Sequence, residues 1–336
     1  MADYKGIKGF TVQNLSADPP TPIEGQVWYN STSGTMKGYA PATGAWSSGN
    51  DLNTAREQPG GAGVSKSSAI CIGGLKPPSS SPRYQDITEI YNGTSWSEDA
   101  DLNQERSLIQ AAGTVTAALA FGGGNPAPPF LKLSETWDGT SWTATNPLTT
   151  GRVNAAGYGT TTAANTVGGE TYIDNYEQYD GTCWSEAADL NQFRQYLRGC
   201  GTTTAGLVFG GRDNPATPTV STAKTESWNG TSWSEVNDLI TGRVNASGAG
   251  TQTAALMAGG ASAPPLFQAI TEQYDGTSWT EVGDMALGRV YLGSASSSPN
   301  SSSVVFAGYT PAEPAGISAA TEEWTAGVQV RTFTSS

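Results

Sequence analysis

The chain has 336 residues, 42 of them glycine, and a formal net charge of −13 from 30 acidic and 17 basic side chains. That balance argues against a nucleic-acid partner, since neutralising phosphates needs clustered Lys and Arg, and the lack of any run of 18 apolar residues argues against membrane insertion through a helix. Histidine is absent, which removes the commonest general base, the Ser-His-Asp arrangement and the commonest metal ligand together.

Residues 1–24 begin Met1-Ala-Asp-Tyr-Lys-Gly6, without the apolar stretch of a cleaved signal peptide. They include Asp18-Pro19-Pro20-Thr21-Pro22 and read as an extended arm or first strand that could anchor the chain to a neighbour. Residues 25–50 offer further short strands, with candidates across the whole N-terminal segment at 10–15, 26–30, 35–40 and 45–48. Together they would make one atypical blade.

From residue 51 to 333 the chain repeats itself six times. The phrase Tyr91-Asn92-Gly93-Thr94-Ser95-Trp96 returns at Trp137–Trp142, Tyr179–Trp184, Trp228–Trp233 and Tyr274–Trp279, with a looser copy at Tyr39–Trp46 and a degenerate one from Trp324 that lacks its second Trp. Asn-Gly or Asp-Gly between aromatic strands predicts a hairpin closed by a type I′ turn. Upstream of each hairpin a second strand pair ends in two glycines, at Gly73-Gly74, Gly122-Gly123, Gly168-Gly169, Gly210-Gly211 and Gly259-Gly260, and more loosely at Ala307-Gly308. The third of these strands is weak, with Asn165-Thr166-Val167 where an apolar run is usual. Each unit is four short antiparallel strands. A period of this length with four strands predicts an all-β propeller, in which radial stacking buries faces and edges that a lone sheet would expose. Trp96, Trp142, Trp184, Trp233 and Trp279 are the expected adhesive between blades.

An apolar strand ending in two glycines, then Tyr or Trp, then Trp five residues on, resembles the kelch repeat. The resemblance implies a kelch-like propeller, with seven blades as the leading count when residues 25–50 supply an atypical first blade. Six blades plus an N-terminal hairpin is the alternative. The segments Phe10–Leu15 and Glu24–Gly34 resemble a part of tail-fibre-like and other structural virion proteins of tailed phages, particularly those infecting marine bacteria. That likeness implies a protein of the virion exterior, assembled in the host cytoplasm.

Arg56, Arg106, Arg152, Arg194, Arg243 and Arg289 recur once per repeat just before the first strand, five of them after an Asp five residues earlier. Glu89, Glu135, Glu177, Glu226, Glu272 and Glu322 recur before the hairpin aromatic. Bidentate pairing that pins neighbouring blades is the expected role of the arginines; an anion site at the channel mouth is the alternative. The repeat leaves open which carboxylate is the partner. Cys71, Cys183 and Cys200 are expected to be buried free thiols on strands, suited to a reducing compartment.

The irregular connections between second and third strands, 75–87, 125–133, 170–175, 212–224, 261–270 and 309–320, should emerge on the face that also carries the links between blades. Five of the six contain proline, and Tyr84, Phe130, Tyr172, Phe267 and Tyr309 are candidate binding residues on them. No catalytic residue, metal or cofactor is expected. The combined reading is a non-enzymatic virion structural protein, fibre- or adhesin-like and tail-associated, that binds other virion proteins or a host cell-surface glycan or protein. A head decoration protein and a carbohydrate-binding or carbohydrate-active propeller are the alternatives.

Overall fold

The structure is a computed structural model that describes residues 12–19, 26–126, 130–213, 220–262, 266–311 and 316–333. Among them there is no α-helix, and the strands form two units, Ala45–Thr325 and a smaller one of 1–44 with 326–336. In the larger unit each repeat is an up-and-down antiparallel sheet. Blade 2 shows the pattern: Gln110–Thr114, Ala117–Phe121, Ser134–Trp137 and Trp142–Thr145, from innermost to outermost. The six innermost strands, Gly60–Ser65, Gln110–Thr114, Ala156–Thr160, Arg198–Gly201, Ser247–Thr251 and Gly293–Ser294, touch in that order, and the last returns to the first. The ring is closed, and it has six blades.

The paired glycines explain how the blades come so close. The second glycine of each blade donates its N–H to the carbonyl of the next blade's arginine: Gly74 to Arg106 at 2.9 Å, Gly123 to Arg152 at 3.0 Å, Gly169 to Arg194 at 2.9 Å, Gly211 to Arg243 at 2.8 Å and Gly260 to Arg289 at 2.8 Å. Gly308 closes the circle on Arg56 at 2.9 Å. At Gly123 φ is +91° and a Cβ would stand 2.8 Å from the Ser107 carbonyl, so only glycine fits.

The apolar core is divided among the gaps between blades, one cluster per gap. Between blades 6 and 1, for example, Tyr91 and Trp96 pack with Val304 and Phe306, and between blades 2 and 3 Phe121 packs with Tyr179 and Trp184. Each buried aromatic removes roughly 150–250 Å² from water, worth several kcal/mol as an upper bound at about 25 cal/mol per Å². The second Trp of each hairpin also donates its indole N–H across the gap: Trp142 to Thr88 at 3.0 Å, Trp184 to Ser134 at 3.1 Å, Trp279 to Thr225 at 3.2 Å and Trp96 to Thr321 at 2.9 Å. Trp46 donates to Thr271 at 2.9 Å and stands 5.3 Å from the Trp324 ring.

Trp46 is therefore the second Trp that the last repeat lacks, and the leading count of seven blades is corrected. The sixth sheet takes its innermost strands from Gly293–Ser294 and Ser302–Phe306, its third from the start of Thr321–Phe333, and its outermost from the end of Thr35–Ser48. No blade forms over residues 25–50. The strand candidates 35–40 and 45–48 are one continuous strand, and its last residues complete the final blade, with the Gly49 N–H on the Thr321 carbonyl at 2.9 Å. In the smaller unit Gln13–Leu15 runs parallel to Val27–Asn30, which pairs antiparallel with the start of Thr35–Ser48. There the Asp18 carboxylate accepts from Trp28, Asn30 and Lys37. The rest of the predicted arm, 1–11 and 20–24, lies outside the described residues.

Two local expectations change as well. The hairpins do not use type I′ turns: Tyr91 pairs directly with Trp96, leaving a four-residue loop in which Gly93 alone takes a positive φ, +88°. Asn92 acts as an acceptor, its Oδ1 receiving the N–H groups of Thr94 and Ser95 at 2.9 Å each. Cys71 and Cys200 are buried free thiols on strands, but Cys183 stands at the serine position of this loop and is exposed. The polar strand of the third repeat has a partner. Asn165 is fully buried and accepts the Tyr176 hydroxyl at 2.6 Å. Tyr176 occupies the place that Thr or Ser holds in the other blades, and among the described residues the Trp233 indole N–H facing it has no hydrogen-bond partner.

Candidate functional site at the channel mouth

The arginine ring is occupied by its own scaffold. All six side chains are at most 1% exposed, and each pairs with the glutamate of its own blade. The distances are 3.0 Å for Arg56–Glu89, 2.5 Å for Arg106–Glu135, 2.6 Å for Arg194–Glu226, 3.0 Å for Arg243–Glu272 and 2.7 Å for Arg289–Glu322, with Arg152–Glu177 also in contact. Burial pulls the Arg106, Arg152, Arg194 and Arg243 guanidinium pKa values down, and the adjacent glutamates oppose that pull. The contact runs through one carboxylate oxygen, not the bidentate fork that the repeat suggested. The glutamate instead accepts backbone N–H groups from the link arriving from the previous blade, as Glu226 does from Asn191 at 3.0 Å. The recurring aspartates have another task. Asp189 accepts the Tyr176 N–H at 3.2 Å and Asp238 the Thr225 N–H at 3.1 Å, fixing each link to the blade it has just left.

Two residues past each arginine the chain does something the sequence reading missed. Gln58, Leu108, Asn154, Tyr196, Asn245 and Tyr291 all have φ between +54° and +60°, a conformation that non-glycine residues hold only when the surroundings impose it. Backbone hydrogen bonds join most of them into a circle: Leu108 to Gln58 at 2.9 Å, Tyr196 to Asn154 at 2.7 Å, Asn245 to Tyr196 at 3.3 Å, Tyr291 to Asn245 at 2.9 Å and Gln58 to Tyr291 at 3.1 Å. The signal was legible in principle. Aligning the repeats on arginine puts Asn or Tyr at four of the six positions, and Asn is among the residues that best tolerate this region.

Short bridges show which end of the channel this is. Glu57 pairs with Leu75, Ser107 with Gly124, Gln195 with Arg212, Val244 with Ala261 and Val290 with Tyr309, and the Glu170 N–H meets the Val153 carbonyl at 2.9 Å. The circle thus lies on the face where the second-to-third-strand connections begin, and the links between blades share that face with the connections, as the sequence implied. Arginine, paired glycines and tryptophan repeat around the axis, whereas the side chains of the circle and of the residues starting the connections differ from blade to blade.

Across blades 3 to 6 these varied side chains meet. The Arg212 guanidinium lies 5.3 Å from the Tyr196 ring centre, and Asn154 Nδ2 donates to Glu170 Oε2 at 2.8 Å. Tyr196, Phe267, Tyr291 and Tyr309 pack around Val244, Ala261 and Val290, with Phe267 and Tyr309 5.8 Å apart. Burial, then the charge of Glu170, pushes the Tyr196 phenol up, and burial, then Glu57, does the same to Tyr291. Both hydroxyls stay protonated donors near neutrality. The site offers aromatic faces, amides, a guanidinium and carboxylates on a backbone held in a strained conformation.

The candidate binding residues divide. Phe267 and Tyr309 belong to this mouth. Tyr172 packs edge-on against Phe193 at 5.9 Å, Phe130 is 38% exposed, and Tyr84 starts the third strand of blade 1 opposite Leu75. Among the described residues none of these three shares a ring contact with the Phe267–Tyr309 pair. Parts of the connections, 127–129, 214–219, 263–265 and 312–315, fall outside the described residues. No group of three or more potential metal ligands occurs among those described.

No family model matches the chain, and no curated protein matches it. A solved structure titled "Structure of YjhT" superposes on 84% of this chain and 99% of its own, with a TM-score of 0.63 and 13% identity. The fold is a kelch-like β-propeller. At that identity the likeness speaks for the fold and for nothing the two proteins do.

Proposed function

We propose that this chain is a non-enzymatic binding propeller of a tailed-phage virion, carried on the particle exterior as a tail-associated component, and that its channel mouth contacts a host-surface ligand. One observation carries the binding half of this reading. The scaffold repeats sixfold while Asn154, Tyr196, Asn245 and Tyr291 vary on the held backbone circle, with Arg212 over the Tyr196 ring, the distribution expected where a rigid frame presents recognition residues. The virion half is supported by the N-terminal likeness to phage structural proteins.

The test uses phage particles whose copy of this protein carries Tyr196→Asn and Tyr291→Asn. Asparagine holds the equivalent place in blades 3 and 5, so the backbone is retained. The proposal expects the chain in purified particles by mass spectrometry, normal particle yield, and host adsorption reduced at least tenfold. Absence from particles, or unchanged adsorption, overturns it. A carbohydrate ligand is the second reading, favoured by the Tyr196 face beside Arg212, Asn154 and Glu170; glycan-array binding lost in the same variant would establish it.

A further inference from the structure

From the mouth inward the inner strands line an open cavity of about 70 Å³ on the propeller axis, room for roughly five water-sized spheres at 10–15 Å³ each. Five glycines and two alanines line it together with larger side chains such as Gln58, Gln110, Asn154 and Tyr291, and Arg198 is the one charged residue among them. Arg198 opens the inner strand of blade 4, at the place held by Gly60, Gln110, Ala156, Ser247 and Gly293 in the other blades. Unlike the six scaffold arginines, it has no carboxylate within ion-pair distance among the described residues. Its Nε donates to the Ala246 carbonyl at 2.5 Å and its Nη1 to the Leu197 carbonyl at 3.0 Å. Nη2 has no protein partner among the described residues, on a side chain that borders the cavity. The Ser296 hydroxyl, also lining the cavity, is buried without a partner. Burial lowers the guanidinium pKa only to about 10, so it remains a cation at neutral pH.

A half-buried cation with a spare donor and no carboxylate beside it attracts an anion more strongly than one in open water. We infer that the propeller channel is a binding site for a small carboxylate or oxoanion, held by Arg198 Nη2. In a chain of net charge −13 this is a local positive site in a negative field. The cavity shares Gln58, Leu108, Asn154 and Tyr291 with the backbone circle at the mouth, whereas Arg198 lies outside that circle, so Arg198→Gln tests the anion site without changing the mouth residues.

The test is thermal unfolding of the full chain at pH 7 in sodium acetate, and separately in sodium sulfate, against sodium chloride of equal ionic strength. The inference predicts a saturable rise in Tm over chloride, about 3 °C at tenfold excess over Kd, absent in Arg198→Gln, the residue blade 2 carries there. No saturable rise up to tens of millimolar (about the weakest affinity such a site would show), or the same rise in Arg198→Gln, overturns it. Should that variant not fold, saturation transfer to ¹³C-acetate in the unaltered chain decides. Transfer from Tyr291 and Leu292, which line the cavity, supports the site. No transfer, or transfer from surface residues only, rejects it.

Discussion

Replacing Arg194 by methionine removes one half of a fully buried ion pair and should unfold the propeller well below its normal temperature. Arg194 is 0% exposed, and its Nη2 lies 2.6 Å from Glu226 Oε1 while its Nη1 reaches the Lys224 carbonyl at 2.8 Å. Arg194→Met leaves Glu226 buried and charged, with only the Asn191 backbone and amide donors at 3.0 and 2.8 Å. Stranding one partner of such a pair costs about 3–5 kcal/mol, which for a domain of this size lowers Tm by roughly 6–10 °C at about 2 °C per kcal/mol. Glu226→Gln keeps the acceptor for Asn191 and removes the orphaned charge, so the double variant should recover about 1–3 kcal/mol over the sum of the single changes. Chemical denaturation of the four proteins in the cycle measures both quantities. A loss below about 1 kcal/mol for Arg194→Met, with additive changes in the double variant, would refute the claim that these pairs hold the blade links in place.

Other consequences follow from single residues. Trp279→Phe should cost about 1 kcal/mol more than Trp233→Phe, because Trp279 donates to Thr225 at 3.2 Å while the Trp233 N–H has no partner among the described residues; equal losses would count against the inter-blade hydrogen bonds. The Asp138 carboxyl, held first by the Thr140 hydroxyl and then by the Ser141 and Thr140 N–H groups, is lowered to about 2, and Asp180 and Asp275 are lowered by their own loop N–H groups. Since these folded values lie below the unfolded one, their contribution is complete above about pH 4 and fades as pH falls toward 2. The triple Asp→Asn variant, which copies Asn92 and Asn229, should therefore lose less stability between pH 5 and 2 in acid denaturation curves, and an unchanged slope would contradict this. Deleting residues 1–48 removes Trp46 and the outermost strand of blade 6, so the 321–325 strand becomes an open edge. Self-association in analytical ultracentrifugation is expected, and a stable monomer would argue against closure by that strand.

The architecture was legible because its determinants are local and repeated. The hairpin phrase and the paired glycines each do one physical job, so six copies state the fold six times. Blade number was not legible, because Trp46 reads as the end of an extra copy; only the ring shows that it finishes the copy begun at Trp324. The turn type was misread because Asn92 and its counterparts serve as acceptors for loop N–H groups, a role with the same residue preference as a positive φ. At the mouth, Phe267 and Tyr309 could be picked out as aromatics on variable connections. Tyr196, Asn154, Asn245 and Tyr291 could not, since their importance comes from a strained backbone two residues past the arginine that composition does not reveal. The partner of the repeat arginine was ambiguous for a similar reason: an Asp recurs in five repeats and a Glu in all six, and only the three-dimensional register gives Glu the side chain and Asp the backbone N–H.

Hydrogen exchange read by mass spectrometry tests ring closure most directly. If six blades are sealed by the N-terminal strand, amides of 45–49 exchange as slowly as those of Trp142–Thr145, the outermost strand of blade 2, and the 321–325 strand is protected with them. Rapid exchange across 45–49, with the outermost strands of the other blades still protected, would contradict the account.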